Sequence, residues 1–311
     1  MMREIANTFN PIRKSGTKTT RRRFILFFEG FRTEIQYFSG MKDNRQHFRI
    51  PSLIEICVMC RYPMDAGSSD PMRLLELVDE YMMWLKHGKY APNLFMNTYL
   101  CKELSDDYVL THNKEIDDFI KHVEKDMSHL VDSEGLVSDV DGALAVCNVF
   151  LKEIFRKNPI TEVMPARPDY DENRDVVCVI IDRDADNRPS SKCSDFLSRC
   201  KEKNYMPVMT NPCFEFWLLL HFEKVLLLDR KKIKSNECEG GKRYVELKLD
   251  EILREYDPLH GYDKTNLDCG RFVHRINEAI KNEKHFCNDI RCIKNEIGSN
   301  VGHLIALMRE R

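Results

Sequence analysis

The sequence predicts an α/β fold: a mostly parallel sheet flanked by helices, interrupted by a helical insertion. Three observations carry that prediction. Residues 176–186, VVCVIIDRDAD, open with six apolar residues, five of them β-branched. A continuous apolar run of that kind is a strand covered on both faces, as in a parallel sheet. Residues 24–28, FILFF, form a second such run, and helical spacing follows each of them. From about 88 to 173 the period-two signal disappears and helical spacing takes over.

The elements follow in order. Residues 1–23 read as a basic flexible arm. Arg3, Arg13, Lys14, Lys18, Arg21, Arg22 and Arg23 stand there against one acid, Glu4, with Gly, Ser, Thr and Pro between them. Such an arm suits a phosphate backbone, or is a solvated tail. The first strand ends at Glu29-Gly30, and Thr33 and Gln36 have the spacing of a capping box for the next helix. Residues 50–58 read as a second strand. A loop through Asp70-Pro71 then leads into a helix with Leu74, Val78, Tyr81, Met82 and Leu85 on one stripe. Residues 24–87 are thus the first part of the core and 88–173 the insertion. Within the insertion Ile116, Phe119, Ile120, Val123, Met127 and Leu130 repeat at helical spacing, as do Leu144, Cys147, Leu151 and Ile154. Residues 174–311 return to the core. Phe196, Leu197 and Cys200 mark a short helix, and residues 207–210 a last short strand. Asn211-Pro212 reads as a helix start, with Asn as N-cap and Pro at the first helical position. That helix, NPCFEFWLLLHFE, is apolar nearly all round and should be buried. A helix from about Gly270 and a final one after Ser299-Asn300 close the chain.

Composition sets outer bounds. Among 311 residues, 32% are charged and 42% hydrophobic, with a net charge of -2; this is a soluble globular profile without a global charge bias. No apolar run reaches membrane-spanning length and no signal-peptide core opens the chain, so a cytoplasmic protein without a membrane partner is expected. The 12 cysteines read as reduced thiols; a zinc site is not favoured, because Cys287 and Cys292 have the wrong spacing for a zinc knuckle and Cys57 of Cys57-x-x-Cys60 lies in an apolar, strand-like run.

The chemistry concentrates past the aspartate-bearing strand. Asp182, Asp184 and Asp186 crowd where open α/β sheets place their ligands. Crowded carboxylates repel unless a cation, a proton or a basic partner neutralises them. Mg2+ (or Mn2+) meets that need with one or two carboxylates plus substrate phosphate. The plainer alternative is an acidic turn in which Asp182 caps the next helix. If both strands are parallel, Glu29 emerges at the same edge as Asp182, as a metal-dependent phosphoryl site requires. Glu215, in the first turn of its helix, is a candidate further metal ligand. Buried His221, four residues from Trp217 on one face, is either satisfied in the core or a proton-transfer group. Lys264, in Tyr262-Asp263-Lys264, is a candidate phosphate contact, and Asn211 a supporting residue.

In this order, the blocks FILFFEGFRTEIQYFSGM, AGSSDPMRLLELVDEY, VVCVIIDRDAD, NPCFEFWLLLHFE, YDKTN and SNVGHLIALM resemble those of the RloB family. The matching blocks cover roughly residues 24–87 and 174–311. The final block lacks the proline the family pattern carries near Ser299. The resemblance implies a Toprim-like (Rossmann-like) core and a place beside restriction–modification and phage-defence genes. Carried over, it makes Glu29 the general acid or base and Asp182 and Asp184 the Mg2+-binding pair, with Asp186 beside them. The expected activity is Mg2+-dependent cleavage of RNA or DNA, and the partners it allows are a nucleic acid, an ATPase or other defence-complex subunit, and a second copy of the chain. A strand followed by DRDAD also resembles haloacid-dehalogenase-like phosphatases, with Asp182 as nucleophile and Asp184 as acid/base. The motif there normally sits on the first strand, and Asp186 replaces the usual Thr or Val. A third reading is a non-catalytic sensor of nucleotides or nucleic acid.

Overall fold

A computed structural model of the chain describes residues 21–30, 32–59, 70–103, 113–158, 170–183 and 190–310. The expected apolar runs form the sheet: β1 (Arg22–Phe28), β2 (Ile54–Met59), β3 (Val176–Asp182) and β4 (Met206–Asn211), joined by the short β7 (Gly298–Ser299). The sheet order is β2-β1-β3-β4-β7. The first four strands are parallel and β7 runs antiparallel to β4. From β1 the chain steps outward to β2 and later returns on the other side as β3, so the switch point of the topology lies between β1 and β3.

Alternation along the strands builds two apolar layers. Phe24, Leu26 and Phe28 of β1, with Cys178 and Ile180 of β3, face one layer. That layer is covered by α1 (Thr33–Asp43), α7 (Phe214–Leu219), α9 (Tyr244–Tyr256), α11 (Ile276–Glu283) and α13 (Val301–Arg309). Ile25 and Phe27, with Val177, Val179 and Ile181, face the other. There α2 (Pro71–His87), α3 (Pro92–Glu103), α4 (Asn113–Met127), α5 (Val140–Phe155) and α6 (Ser190–Glu202) pack. The stripes read in α2, α4 and α5 are the ones buried: Leu74, Val78, Met82 and Leu85, then Ile116, Phe119, Val123 and Met127, then Cys147 and Leu151. The helices after Gly88 therefore cover a sheet face through one continuous core. Asp70 caps α2 by accepting from the Met72 N–H at 3.1 Å, with Pro71 at its first position. Among the described residues no helix is long and apolar enough to cross a membrane. The remaining elements are α8 (Arg230–Ser235), the β5 (Cys238–Glu239) and β6 (Lys242–Arg243) hairpin, α10 (Gly270–Val273) and α12 (Ile290–Ile293).

Several local expectations are corrected. Strand β1 begins at Arg22, so Arg22 and Arg23 belong to the sheet. Thr33 and Gln36 form no capping box, because α1 has no side-chain cap. The Thr33 hydroxyl is instead 3.1 Å from the Tyr262 hydroxyl. Gln36 spans the Lys264 carbonyl (3.3 Å) and the Leu267 N–H (2.6 Å). Asn211 is no N-cap: it ends β4 opposite Gly298, the Asn211–Pro212 bond is cis, and α7 starts at Phe214 behind Cys213. The Asn211 amide donates to the carbonyls of Ile293 (2.6 Å) and Glu296 (2.9 Å), tying β4 to α12. α7 is buried over its whole length, as its composition demanded. Cys287 and Cys292 form a disulfide, so that pair departs from the expectation of reduced thiols.

Candidate active site at the sheet edge

At the carboxyl edge of the sheet, β1 and β3 deliver their terminal acids side by side. The Glu29 N–H donates to the Ile180 carbonyl at 2.9 Å, which carries the β1–β3 pairing one step past the strand. In return the Asp182 N–H donates to Glu29 Oε2 at 3.2 Å. Asp182 Oδ1 accepts from the Thr210 hydroxyl at 2.6 Å, and the Arg183 N–H donates to the Thr210 carbonyl at 2.7 Å. Asp182 is thus held by its neighbours on β1 and β4. It lies in β3, and the Arg183 N–H behind it is spent on the neighbouring strand β4, which removes the helix-cap reading.

Two further acids join this pair. Glu34, in the first turn of α1, folds back over the strand-to-helix turn. A Cβ at position 30 would lie 1.9 Å from Glu34 Oε1, so only glycine admits the carboxylate there. Glu215, in the first turn of α7, is buried and accepts from the Tyr262 hydroxyl at 2.7 Å. Lys264 Nζ lies 3.4 Å from Glu215 Oε1 and 3.4 Å from Glu246 Oε1. A cavity of about 800 Å³ opens over these groups, lined among others by Glu29, Gly30, Asp182, Cys213, Glu215 and Lys264.

The segment carrying Tyr262 and Lys264 is fixed from three sides. Asp250 accepts from the Tyr262 N–H at 2.7 Å, Arg271 donates to the His260 carbonyl at 2.7 Å, and Gln36 holds the Lys264 carbonyl.

The electrostatics match the crowding. Burial pushes the Asp182 carboxyl well above the usual range, and the neighbouring Glu34, Glu215 and Glu29 add to it, against the Thr210 hydrogen bond. Burial, then the charge of Glu215, raises Glu34 to about 7. Lys264 is opposed by its own burial, yet Glu215 and Glu246 hold its ammonium above the ordinary lysine value. Excess buried negative charge next to one lysine is a site for a cation or for shared protons.

This arrangement predicts how stability should depend on pH. The Glu34 carboxyl binds its proton more tightly folded than unfolded, so its contribution is complete below about 4.5 and lost as pH rises through about 7. Glu283, which accepts from the Gly302 N–H at the start of α13, is raised by burial to about 7 and acts in the same direction. In the presence of chelator the melting temperature should therefore fall between about pH 5 and pH 8, and Glu34→Gln should flatten the fall. A melting temperature that climbs over that interval would contradict this account.

The remaining sequence candidates divide clearly. Asp184 and Asp186 lie outside the described residues, as do Arg13, Lys14 and Lys18. Arg23 pairs with Glu55 (3.2 Å) and Asp175 (3.5 Å), so it is committed within the fold. Arg21 and Arg22 stand with it at the opening of β1, a strand length of about 20 Å from Glu29. His221 is the satisfied core residue of its two readings, and the proton-transfer role falls away. It is fully buried, Nε2 lies 3.1 Å from the Tyr37 hydroxyl, and Nδ1 faces the carbonyls of Trp217 (3.1 Å) and Leu218 (3.2 Å). Burial lowers it to about 3, so it stays neutral. Asn211 braces β4 and does not line the cavity.

Glu34 and Glu246 were not anticipated, nor was the wall made by residues 236–246. The hairpin had a signal in Gly240-Gly241. Both residues have positive φ (59° and 88°), as a two-residue type I′ turn requires.

Fold and site together define the class: a Rossmann-like α/β protein with a carboxylate-rich cavity at the switch point of a mostly parallel sheet. The chain belongs to the RloB family, since the model of the RloB-like protein family matches residues 24–308. No curated protein and no solved structure matches the chain.

Proposed function

We propose that this chain is a metal-dependent nuclease with a Toprim-like catalytic edge, hydrolysing RNA or DNA phosphodiesters in anti-phage defence. The observation that carries the reading is the Asp182 N–H donating to the Glu29 carboxylate at 3.2 Å, which sets acids from two parallel strands at one edge. The carboxylates there are hard oxygen donors, the kind Mg2+ or Mn2+ accepts. Among the described residues no three His, Cys, Asp or Glu side chains form a ready metal cluster. Magnesium is nevertheless commonly held by one or two carboxylates completed by water and substrate phosphate. Asp182 and Glu29 would hold it, with Asp184, two residues on in the sequence, as the family resemblance implies. Bound there, it supplies charge neutralisation at the phosphodiester and a lowered pKa for attacking water.

The chain's own groups have distinct parts. Glu29 moves the proton between water and leaving oxygen. Asp182, fixed by Thr210, keeps its orientation while its charge is balanced. Lys264, steadied by Glu215 and Glu246, meets the substrate phosphate. Tyr262 holds Glu215 in place. The test is purified protein with labelled DNA and RNA in magnesium, manganese and chelator. Strand cleavage should appear only with divalent metal. Cleavage that appears only after adding a partner ATPase or other defence-complex subunit would make this chain the nuclease subunit of a complex. Equal cleavage in chelator would refute the metal-dependent reading.

A further inference from the structure

The acidic cavity repels a polyanion, so a nucleic acid needs cations that lead it there. Between positions 230 and 243 six basic side chains, Arg230, Lys231, Lys232, Lys234, Lys242 and Arg243, stand against two acids, Glu237 and Glu239. α8 turns its four cations outward, and only Ile233 is buried. Little within the fold neutralises these four, whereas Lys242 of the hairpin pairs with Asp250 at 3.3 Å. Lys234 pairs with Glu296 at 3.3 Å, but both side chains are more than half exposed (51% and 59%), so the pair contributes little. Lys231 makes no ion pair among the described residues. Arg230 donates to the His285 carbonyl at 3.0 Å and lies 4.7 Å over the Phe286 ring, partners that leave its charge uncompensated. Like charges this close on one helix destabilise it, and a polyanion relieves the repulsion.

The place of this helix gives the charge a purpose. Arg230, Lys231 and Lys234 line a cleft of about 340 Å³ with His285 and Phe286. The same stretch of chain continues into the wall of the acidic cavity, which Asn236, Cys238 and Arg243 line. Arg243 Nη1 donates to the Asn236 carbonyl at 3.4 Å, bracing the hairpin against the end of α8. A cationic cleft and the carboxylate cavity are therefore the two ends of one short segment.

We propose that α8 and the β5–β6 hairpin form a phosphate-binding rail that carries a polynucleotide backbone to the acidic cavity. The destination rests on the nuclease reading; the binding does not. The test uses the full chain in chelator, where nothing is cut, and labelled single-stranded DNA, single-stranded RNA and duplex DNA followed by fluorescence anisotropy over a salt series. Lys231→Gln/Lys232→Gln/Lys234→Gln keeps helix propensity nearly constant. Lys114→Gln/Lys121→Gln/Lys125→Gln, on exposed positions of α4, removes the same charge elsewhere. Each single-strand phosphate contact contributes roughly 0.7 to the salt slope and each duplex contact roughly 0.9. The α8 variant should lose about two units of slope on single strands and about three on duplex, with about 100-fold weaker single-strand binding at about 0.1 M salt. The α4 variant should bind like wild type, and both should melt no lower than the wild type by circular dichroism, since removing like charges from α8 relieves repulsion. Unchanged slope in the α8 variant, or an equal loss in the α4 variant, overturns the rail. No binding by the wild type overturns it too, and leaves the surface to an acidic protein. Slope loss in the α8 variant together with no cleavage by the wild type in magnesium upholds the rail and removes the nuclease.

Discussion

Asp182→Asn should lower metal-dependent strand cleavage by on the order of 1,000-fold or more, equivalent to about 4 kcal/mol of transition-state stabilisation. Asparagine keeps the acceptor oxygen that Thr210 uses, so the link between β3 and β4 survives. It removes one charge from the group that faces Glu34, Glu215 and Glu29. The same change should therefore stabilise the protein in chelator at about pH 8 by on the order of 1 kcal/mol, read from the urea midpoint. Magnesium should raise the melting temperature of the wild type more than that of the variant, because a ligand stabilises only the state it binds. Lost activity with unchanged or increased stability is the signature of a site. An unfolded variant, with a wild type indifferent to metal, would instead make Asp182 a structural residue.

The parts of this site legible in the sequence are those whose position follows from the chain itself. A strand buried on both faces writes itself as an apolar run, so β1 and β3 were visible, and so were the acids that end them. Two parallel neighbours must end at the same edge, which is why the sequence alone pairs Glu29 with Asp182. Glu34 was hidden because its role depends on the absence of a side chain at Gly30. Thr33 and Gln36 imitate a capping box, yet both are spent on the segment 262–267, a contact over 200 residues away in sequence that local spacing cannot report. Asn211-Pro212 has the composition of a helix start, but tertiary demand from the carbonyls of Ile293 and Glu296 keeps Asn211 in the strand. The cationic stretch 230–243 is less conspicuous in the sequence than the basic residues before β1. Its significance comes from standing against the cavity, and charge counting along a chain does not show that.

Glu29→Gln separates a nuclease from a phosphatase acting through the same aspartate. Glutamine keeps the shape and an acceptor for the Asp182 N–H, so the β1–β3 edge stays closed. What it loses is the charge and the ability to move a proton. General acid–base groups typically contribute ~100- to 10,000-fold, and the loss in strand cleavage should be of that order. If Asp182 were instead the nucleophile of a haloacid-dehalogenase-like phosphatase, Glu29 would only end a strand, and the change would cost little. The substrates divide the two readings as well: a polynucleotide for one, a small phosphomonoester such as p-nitrophenyl phosphate for the other. Monoester hydrolysis that survives Glu29→Gln, with no strand cleavage by the wild type, would transfer the chemistry to Asp182 alone. A defect confined to polynucleotide cleavage, with oligonucleotide binding intact in chelator and the magnesium-induced rise in melting temperature retained, would assign the proton transfer to Glu29, because metal and substrate binding then survive and only the bond-breaking step depends on its carboxylate.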